Sequence, residues 1–480
     1  FQSPRYPRAR RPPPAARSRR AAPQLLFVDL DPKGFEASSD FSTMSLRRYV
    51  NLVTGDGLQG IYSLRLLDSD KFFYPAQEAA AKARDLPRLE RVPEHNLSSW
   101  IAQKKKTKKA AARSGRQQQK LERTILPPRP IHNFRPTKCP ATNGDKPRLH
   151  SFALSGTKIF FADSGKRTTL YDTEAHCTIT TPCLHARKDF PIALSIPSPA
   201  GPEAEGEQDQ DSGSSLYIMD TTIDPKNTTP FEVLTCRIRP DEHFSAQKTW
   251  HCDALPRPPF FHRRPDQYTS VSSYAVVGNV ICVSLAAVGT YCFDTVSRMW
   301  SFAGDWQMPF SGKAEYVPEL KLWFGISADN HQLPCAANLS LVPGGHAPEK
   351  QECYIWGDPN LPVDWLPDLY YPAQMVCLGS GMFCIMNYFE DMVGRSSWMG
   401  ELSDADGDPI AVFSGLEVLA GNGNGNDNGK ESSSDSGKNS SSDSDKESSS
   451  DRGKEIGLRM IKHKSRLFRH SDTHCIESVL

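Results

Sequence analysis

The chain has 480 residues, of which 57 are Lys or Arg and 56 are Asp or Glu, giving a net charge of +1 and a hydrophobic share of 38%. This balance excludes a global field that would draw the whole protein onto nucleic acid or an anionic membrane. The twelve cysteines include no CxxC pair and stand mostly alone in apolar runs, as Cys236, Cys282, Cys292, Cys377 and Cys384 do. Such usage is typical of buried free thiols in a reducing compartment, so we expect a protein of the cytoplasm or nucleus.

Residues 1–43 predict a disordered basic extension. The first 20 residues carry seven arginines, five prolines and no acid, and a stretch of this kind cannot bury a core. It is interpreted as an upstream extension foreign to the native protein, or alternatively as an organelle transit peptide or basic arm, which share the Arg-rich and acid-poor bias.

Residues 44–480 predict one β-rich domain, which begins with strands between Arg47 and Tyr74. A basic loop follows at residues 101–125. Its lysine cluster is a candidate nuclear-import signal or nucleic-acid patch, and a solvated charged loop is the alternative. The cluster consists of Lys104, Lys105, Lys106, Lys108 and Lys109.

A repeated pattern of a glycine turn, an apolar strand and a short strand ending in aromatic-Asp-Thr indicates the fold. GTKIFFAD at 156–163 precedes TTLYDT at 168–173, and GNVICV at 278–283 precedes TYCFDT at 290–295. Further units begin near Ser215, Leu320 and Gly379. Spacings of about 40 to 60 residues are typical of propeller blades. The sequence therefore predicts an all-β, β-propeller-like ring of four-stranded antiparallel blades, with a large β-sandwich as the structural alternative.

The uncharged run between Asp266 and Asp294 raises a membrane helix as a competing interpretation. Gly278, Asn279 and Gly289 interrupt it and β-branched residues abound, which favours strands. Downstream, Leu320, Leu322 and Phe324 alternate with Lys321, Trp323 and Gly325, a pattern that predicts a half-buried strand.

Residues 421–455 predict a disordered insertion rich in Ser, Asp, Gly and Asn. It contains three eight-residue repeats, KESSSDSG, KNSSSDSD and KESSSDRG, and separates residues 411–413 from 456–468, which we expect to pair as strands. The serines before acids are candidate phosphosites, and a neutral spacer is the alternative. These candidates are Ser432, Ser433, Ser440, Ser441 and Ser448.

Two clusters have metal-like residue content without metal-like spacing. His176, Cys177, Cys183 and His185 fit no closed zinc pattern, so we expect strand and turn residues there. Asp404, Asp406 and Asp408 begin like a calcium loop but lack its glycine and its glutamate. The sequence contains no nucleophile-elbow, phosphate-loop or dinucleotide motif. We therefore expect no catalytic residue, metal or cofactor.

Several segments resemble a large grass protein family known as domain of unknown function 1668. They are MSLRRYVNLV at 44–53, GIYSL at 60–64, FFYP at 72–75, YCFDT at 291–295 with Trp300, and LRMIKHKS at 458–465. The family is similar in style to the kelch-like and F-box-associated propellers of plants. The resemblance implies a propeller and a plant source, and no catalytic residues. The chain lacks the paired glycines of true kelch repeats and an F-box-like helical module.

The function expected from these features is protein interaction without catalysis, through a ring face built of blade loops. Two alternatives stay open. One is a propeller enzyme, or a carbohydrate or small-ligand binder, with a site in the central channel. The other is a nuclear factor that uses the basic cluster. The expected partners are proteins, with nucleic acid as a possibility and no membrane.

Overall fold

The computed structural model describes residues 46–79, 124–137, 147–197, 214–221, 227–239, 247–262, 270–329, 333–351, 365–367, 373–391, 410–420, 458–468 and 474–480. Contacts divide the chain between Ser42 and Thr43, and all described residues belong to the second unit, Thr43–Leu480. No helix in this described part is both long and apolar enough to cross a membrane.

The described elements are strands, one turn of α-helix at residues 76–79, and three short 3-10 helices, at Ser69–Lys71, Pro259–His262 and Val342–Gly344. In chain order the strands are β1 (Tyr49–Asp56), β2 (Ile61–Asp68), β3 (Thr124–Ile125), β4 (His132–Phe134), β5 (Leu149–Ala153), β6 (Lys158–Asp163), β7 (Thr168–Asp172), β8 (Cys177–Thr180), β9 (Pro191–Pro197), β10 (Ser214–Asp220), β11 (Phe231–Arg239), β12 (Gln247–Ala254), β13 (Val271–Val277), β14 (Val280–Leu285), β15 (Gly289–Asp294), β16 (Met299–Gly304), β17 (Phe310–Val317), β18 (Leu322–Ser327), β19 (Pro334–Asn338), β20 (Glu349–Gln351), β21 (Trp365–Pro367), β22 (Gln374–Gly379), β23 (Met382–Asp391), β24 (Ile410–Ala420), β25 (Leu458–Phe468) and β26 (His474–Val479).

Of these 26 strands, 24 form six four-stranded antiparallel blades, and the other two extend blade 5, where β21 pairs with β23 and β3 pairs in parallel with β25. Blades 1 to 5 are β5–β8, β9–β12, β13–β16, β17–β20 and β22–β25, and blade 6 combines β26 with β1, β2 and β4. The first strands are innermost, because β5 contacts β9, β9 contacts β13, β13 contacts β17, and β22 contacts β26. Since β13 and β17 pair in parallel and every blade repeats one antiparallel order, the first strands of all blades run in the same direction.

The core lies between blades, as expected for sheets that cannot cover their own faces. Each of the six interfaces holds one hydrophobic cluster. Two aromatic rings contact each other across five of these interfaces, and a tryptophan indole donates a hydrogen bond across the sixth. In order around the ring these are Phe160–Trp250, Phe231–Phe293, Trp323 Nε1 to the Val276 carbonyl, Phe324–Phe383, Phe72–Phe413 and Phe134–Phe161.

The ring is closed by the last strand of the chain. β26 pairs with β1 between Leu52↔Val479 and Asp56↔His474. Beyond this pairing, Asn51 and Leu480 exchange backbone hydrogen bonds of 2.9 and 2.8 Å. The N-terminal strands predicted between Arg47 and Tyr74 therefore supply the second and third strands of the closing blade, while the C-terminal strand supplies its first.

The structure confirms the predicted all-β propeller-like architecture. The five predicted repeat starts fall at or just before β6, β10, β14, β18 and β23, the second strand of each of blades 1 to 5. The uncharged run before Asp294 forms β13, β14 and most of β15, which confirms the choice of strands. Residues 411–413 pair with residues 466–468, as predicted.

The predicted half-burial of the strand at Leu322 is wrong. All six residues of β18 are buried, Leu322 and Trp323 alike, although they point to opposite faces. The reason is that β18 is an inner strand of a blade packed on both sides, so its two faces meet neighbouring blades.

Candidate functional site: a loop anchored by two buried carboxylates

The connection from β8 to β9, residues 181–190, passes from the outer strand of blade 1 to the inner strand of blade 2. We call this connection the anchored loop. It lies on the face where the first strand of each blade begins, which we call the upper face. Two buried acids of blade 2, Asp220 at the end of β10 and Glu232 at the start of β11, hold the loop from beneath.

Glu232 has no exposed surface and organises the first half of the anchored loop. Its Oε2 accepts hydrogen bonds from the backbone N–H of His185 at 2.8 Å and from Nδ1 of the same residue at 2.7 Å. Its Oε1 accepts from the Ala186 N–H at 3.2 Å and pairs with the ammonium of Lys188. Both carboxylate oxygens thus bind the short stretch of chain from His185 to Lys188.

Lys188 is buried with Glu232, and its side chain is 2% exposed. Its Nζ also donates to the carbonyls of Ala186, at 3.0 Å, and Thr229, at 2.8 Å. All three ammonium protons are therefore used, which is the condition under which a buried ion pair is tolerated.

Burial alone would raise the pKa of the Glu232 carboxyl, but the charge of Lys188 and the hydrogen bonds from Lys188 and His185 outweigh it, and the pKa is lowered. Glu232 is therefore ionised at neutral pH. The thiol of Cys252, on β12, lies 3.3 Å from Glu232 Oε2. Burial, and then the negative charge of Glu232, raise the pKa of Cys252 to about 12, so this group is a neutral thiol that donates to the carboxylate.

Asp220 fixes the second half of the anchored loop. Its carboxylate accepts hydrogen bonds from the backbone N–H groups of Asp189, at 3.2 Å, and Phe190, at 3.3 Å. The Phe190 carbonyl accepts from the N–H and the hydroxyl of Thr221, at 3.1 and 2.7 Å. The backbone of Phe190 is thereby held from both sides.

The ring of Phe190 is nevertheless 59% exposed. The guanidinium of Arg148, which precedes β5 on blade 1, lies 5.5 Å from the ring centroid. Arg187 and Asp189 form an ion pair at 2.7 Å beside it. Phe190 is thus an exposed aromatic residue bordered by the charged side chains of Arg148, Arg187 and Asp189. Its backbone is fixed by hydrogen bonds.

His150, on β5, lies close enough to Arg148, Arg187 and Asp189 to interact with their charges. Burial lowers its pKa from 6.5 to about 4, and Arg148 and Arg187 act in the same direction while Asp189 opposes them. The imidazole is therefore neutral at physiological pH.

We expect the depressed pKa of His150 to make the fold acid-sensitive. Because the folded-state pKa lies below the unfolded value, the contribution to stability is complete above about pH 6.5 and is lost as the pH falls towards 4. When the pH falls from 7.5 to 5.5, this residue therefore lowers the free energy of unfolding by about 1 kcal/mol. Urea denaturation at both pH values measures this change in the free energy of unfolding. The change should be smaller by about 1 kcal/mol in His150→Gln than in the wild type. Equal pH dependence in the two proteins would contradict the assignment.

A second polar group lines the inner strands of blades 3, 4 and 5. Between Ser311 and Glu315 the pairing of β17 with β18 is interrupted, and residues 312–314 pair with β13 instead. Gly312 has a φ of +79° at this bulge, a conformation that favours glycine. Lys313 Nζ donates to Glu315 at 2.6 Å, and Glu315 also accepts from the Cys377 N–H at 2.8 Å.

The charges of Lys313 and Glu315 compensate each other. Desolvation would raise the pKa of Glu315, but Lys313, the Cys377 N–H and Arg47 lower it. Among the described residues of the group the single carboxylate is thus held as an anion by cations. A pair of carboxyls for general acid–base chemistry is not formed by these residues.

The structure does not bring His176, Cys177, Cys183 and His185 together as a set of ligands. Cys177 and Cys183 are exposed, and His176 sits in the β7–β8 turn with a φ of +49°. Only His185 joins other candidate ligands, Glu232 and Cys252. The remaining predicted site residues lie outside the described residues: the five lysines of the basic cluster, the five phosphosite serines, and Asp404, Asp406 and Asp408.

Sequence reasoning missed Asp220, Glu232 and Lys188. A signal was present for Glu232, which stands alone in the apolar run Phe231-Glu232-Val233-Leu234. An acid in a strand with both faces covered must find a partner, but its partners are about 45 residues away in sequence and on another connection.

The comparisons with known proteins agree with the family resemblance. The model of the family DUF1668, described as a protein of unknown function, matches residues 47–469. The chain belongs to this family. No curated protein matches this DUF1668 member significantly in sequence.

Among solved structures, the β-propeller domain of Cps50 (Swd1) from Myceliophteria thermophila is similar at 9% identity, with a TM-score of 0.26, over 55% of this chain and 77% of that one. A likeness at this level carries no argument about function. The blade assignment of the DUF1668 chain rests on its own sheet order and interfaces.

Proposed function

We propose that this DUF1668 chain is a non-catalytic protein-interaction propeller whose docking surface is the upper face around the anchored loop. The observation that carries the proposal is Phe190, an exposed aromatic residue whose backbone makes three hydrogen bonds, with a fourth at the adjacent Asp189 N–H. Aromatic and arginine side chains dominate the binding energy of protein interfaces. A group that is already ordered before binding loses little conformational entropy when it binds.

The charge around Phe190 favours a partner segment that combines an apolar anchor with acidic residues. Arg148 exchanges hydrogen bonds with Ser164, which places it beside the β6–β7 turn with its exposed Lys166 and Arg167. Arg187 is compensated by Asp189. Within the described part of this border, basic side chains therefore outnumber free acids, and acidic residues of a partner would meet complementary charge.

Three further features of this proposal are supported by the sequence alone. They are a plant source, a kelch-like character, and a location in the cytoplasm or nucleus. The nuclear-factor alternative depends on the basic cluster at residues 104–109 and stays a prediction.

Replacing Phe190 with alanine should weaken partner binding by about 30-fold, as truncation of an interface hot spot costs about 2 kcal/mol. Phe302→Ala is the matched control, because Phe302 is an aromatic residue of similar exposure, 54%, on the outer strand of blade 3. The measurement is quantitative affinity purification of the full chain and both variants, with thermal unfolding to confirm folding. At least one protein should be retained by the wild type and Phe302→Ala and lost from Phe190→Ala. Identical sets of proteins from all three would overturn the proposal.

A further inference from the structure

We propose that His185, Glu232 and Cys252 form a zinc site at the base of the anchored loop. The inference is independent of the proposed docking function. The three donors come from three separate segments, the anchored loop, β11 and β12, and only the fold brings them together. Imidazole, carboxylate and thiolate are the three side-chain groups that bind zinc in proteins.

The donor separations suit one small tetrahedral ion. Zinc bonds of about 2.0–2.3 Å place neighbouring donors roughly 3.3–3.6 Å apart. Here Cys252 Sγ lies 3.3 Å from Glu232 Oε2 and 3.8 Å from His185 Nδ1, and Nδ1 lies 2.7 Å from Oε2. The last distance must open by about half an ångström, and the distance of 3.8 Å must shorten by about 0.2 Å. Both changes involve the imidazole of His185, whose side chain is 47% exposed.

The two oxygens of the Glu232 carboxylate have different partners, Lys188 for one and the proposed metal for the other. Lys188 pairs with Oε1, whereas His185 Nδ1 and Cys252 Sγ both face Oε2. Zinc would therefore bind Oε2 without displacing the ammonium. The exposed side of His185 leaves the fourth position to solvent, which is the arrangement of three protein ligands and one open position.

Binding replaces two hydrogen bonds with metal–ligand bonds and involves no redox change. The Cys252 S–H bond breaks and its proton leaves to solvent, so that the thiolate binds zinc. The imidazole proton moves from Nδ1 to the exposed Nε2, and Nδ1 binds zinc through its lone pair. The charge of the trio with Lys188 changes from zero to +1, which the open solvent-facing position accommodates.

Cobalt(II) provides the test, because a thiolate ligand gives tetrahedral cobalt an intense charge-transfer absorption. The full chain is stripped with a chelator and titrated with Co²⁺, followed by competition with Zn²⁺. The wild type should bind one equivalent with this absorption, and zinc should abolish it. Cys183→Ser, which removes an exposed thiol two residues from His185, should behave as the wild type.

Cys252→Ser should lose the thiolate absorption. His185→Ala should weaken Co²⁺ binding by at least tenfold, since loss of even a supporting partner of a metal ligand costs about 10–100-fold. His185 is exposed, so this variant decides the question if Cys252→Ser fails to fold. No absorption in the wild type, unchanged absorption in Cys252→Ser, or unchanged affinity in His185→Ala would each overturn the proposal.

Discussion

Replacing Glu232 with glutamine is expected to lower the free energy of unfolding by about 3–5 kcal/mol, the usual cost of leaving one member of a buried ion pair without its partner. Lys188 would stay buried without its ion-pair partner. Because an amide keeps only one of the two acceptor oxygens, the backbone N–H of either His185 or Ala186 would lose its acceptor. The measurement is chemical denaturation in the presence of a chelator, so that metal binding does not contribute.

The control for this prediction removes both charges. Because an apolar pair of similar volume is often as stable as a buried ion pair, Glu232→Gln combined with Lys188→Met should recover a large part of the loss. A single Glu232→Gln variant as stable as the wild type would show that the pair does not hold the loop. A double variant no more stable than the single one would assign the loss to the loop hydrogen bonds alone.

Deleting residues 474–480 should abolish cooperative unfolding of the whole ring. The deletion removes the first strand of blade 6, with the buried side chains of Ile476 and Val479 and the carbonyl that accepts from the Tyr388 hydroxyl at 3.1 Å. It exposes the faces of blades 5 and 6 that pack on this strand. The expected loss is on the order of the total stability of an ordinary domain, 5–15 kcal/mol.

A deletion of residues 430–453 is the control for the truncation. These residues lie between β24 and β25, whose pairing is already complete without them, and the cost of closing a loop depends only weakly on its length. Thermal unfolding should show a cooperative transition near that of the wild type for this deletion and none for the truncation at 473. A cooperative transition in the truncated chain would mean that β26 does not close the ring.

The repeat in the sequence predicted the blades because the second strand of a blade is its most constrained part. In β6, β10, β14, β18 and β23 both faces meet neighbouring blades, which demands apolar residues at successive positions rather than at alternate ones. Turn glycines such as Gly278 and Gly381, both with positive φ, mark the hairpins that precede or enter these strands. The local sequence pattern therefore identifies a blade at five places, once in each of blades 1 to 5.

The closing blade gives a weaker local signal, because its strands come from both ends of the chain. Nothing near His474 indicates that β26 pairs with β1, more than 400 residues away. The anchored loop was missed for the same reason. Its anchoring contacts join the loop to strands of blade 2 that are distant in sequence, as Phe190 with Asp220 or His185 with Glu232, and their spacing matches no motif.

Docking of a protein on the upper face through Phe190 is best tested by site-specific photo-crosslinking. A benzophenone amino acid is placed at position 190 and, as the control, at position 302 of the full chain in cells. We expect a defined protein adduct from position 190 that is absent from position 302 and that disappears when Arg148 is changed to Glu. The same adducts from both positions, or none from position 190, would contradict it.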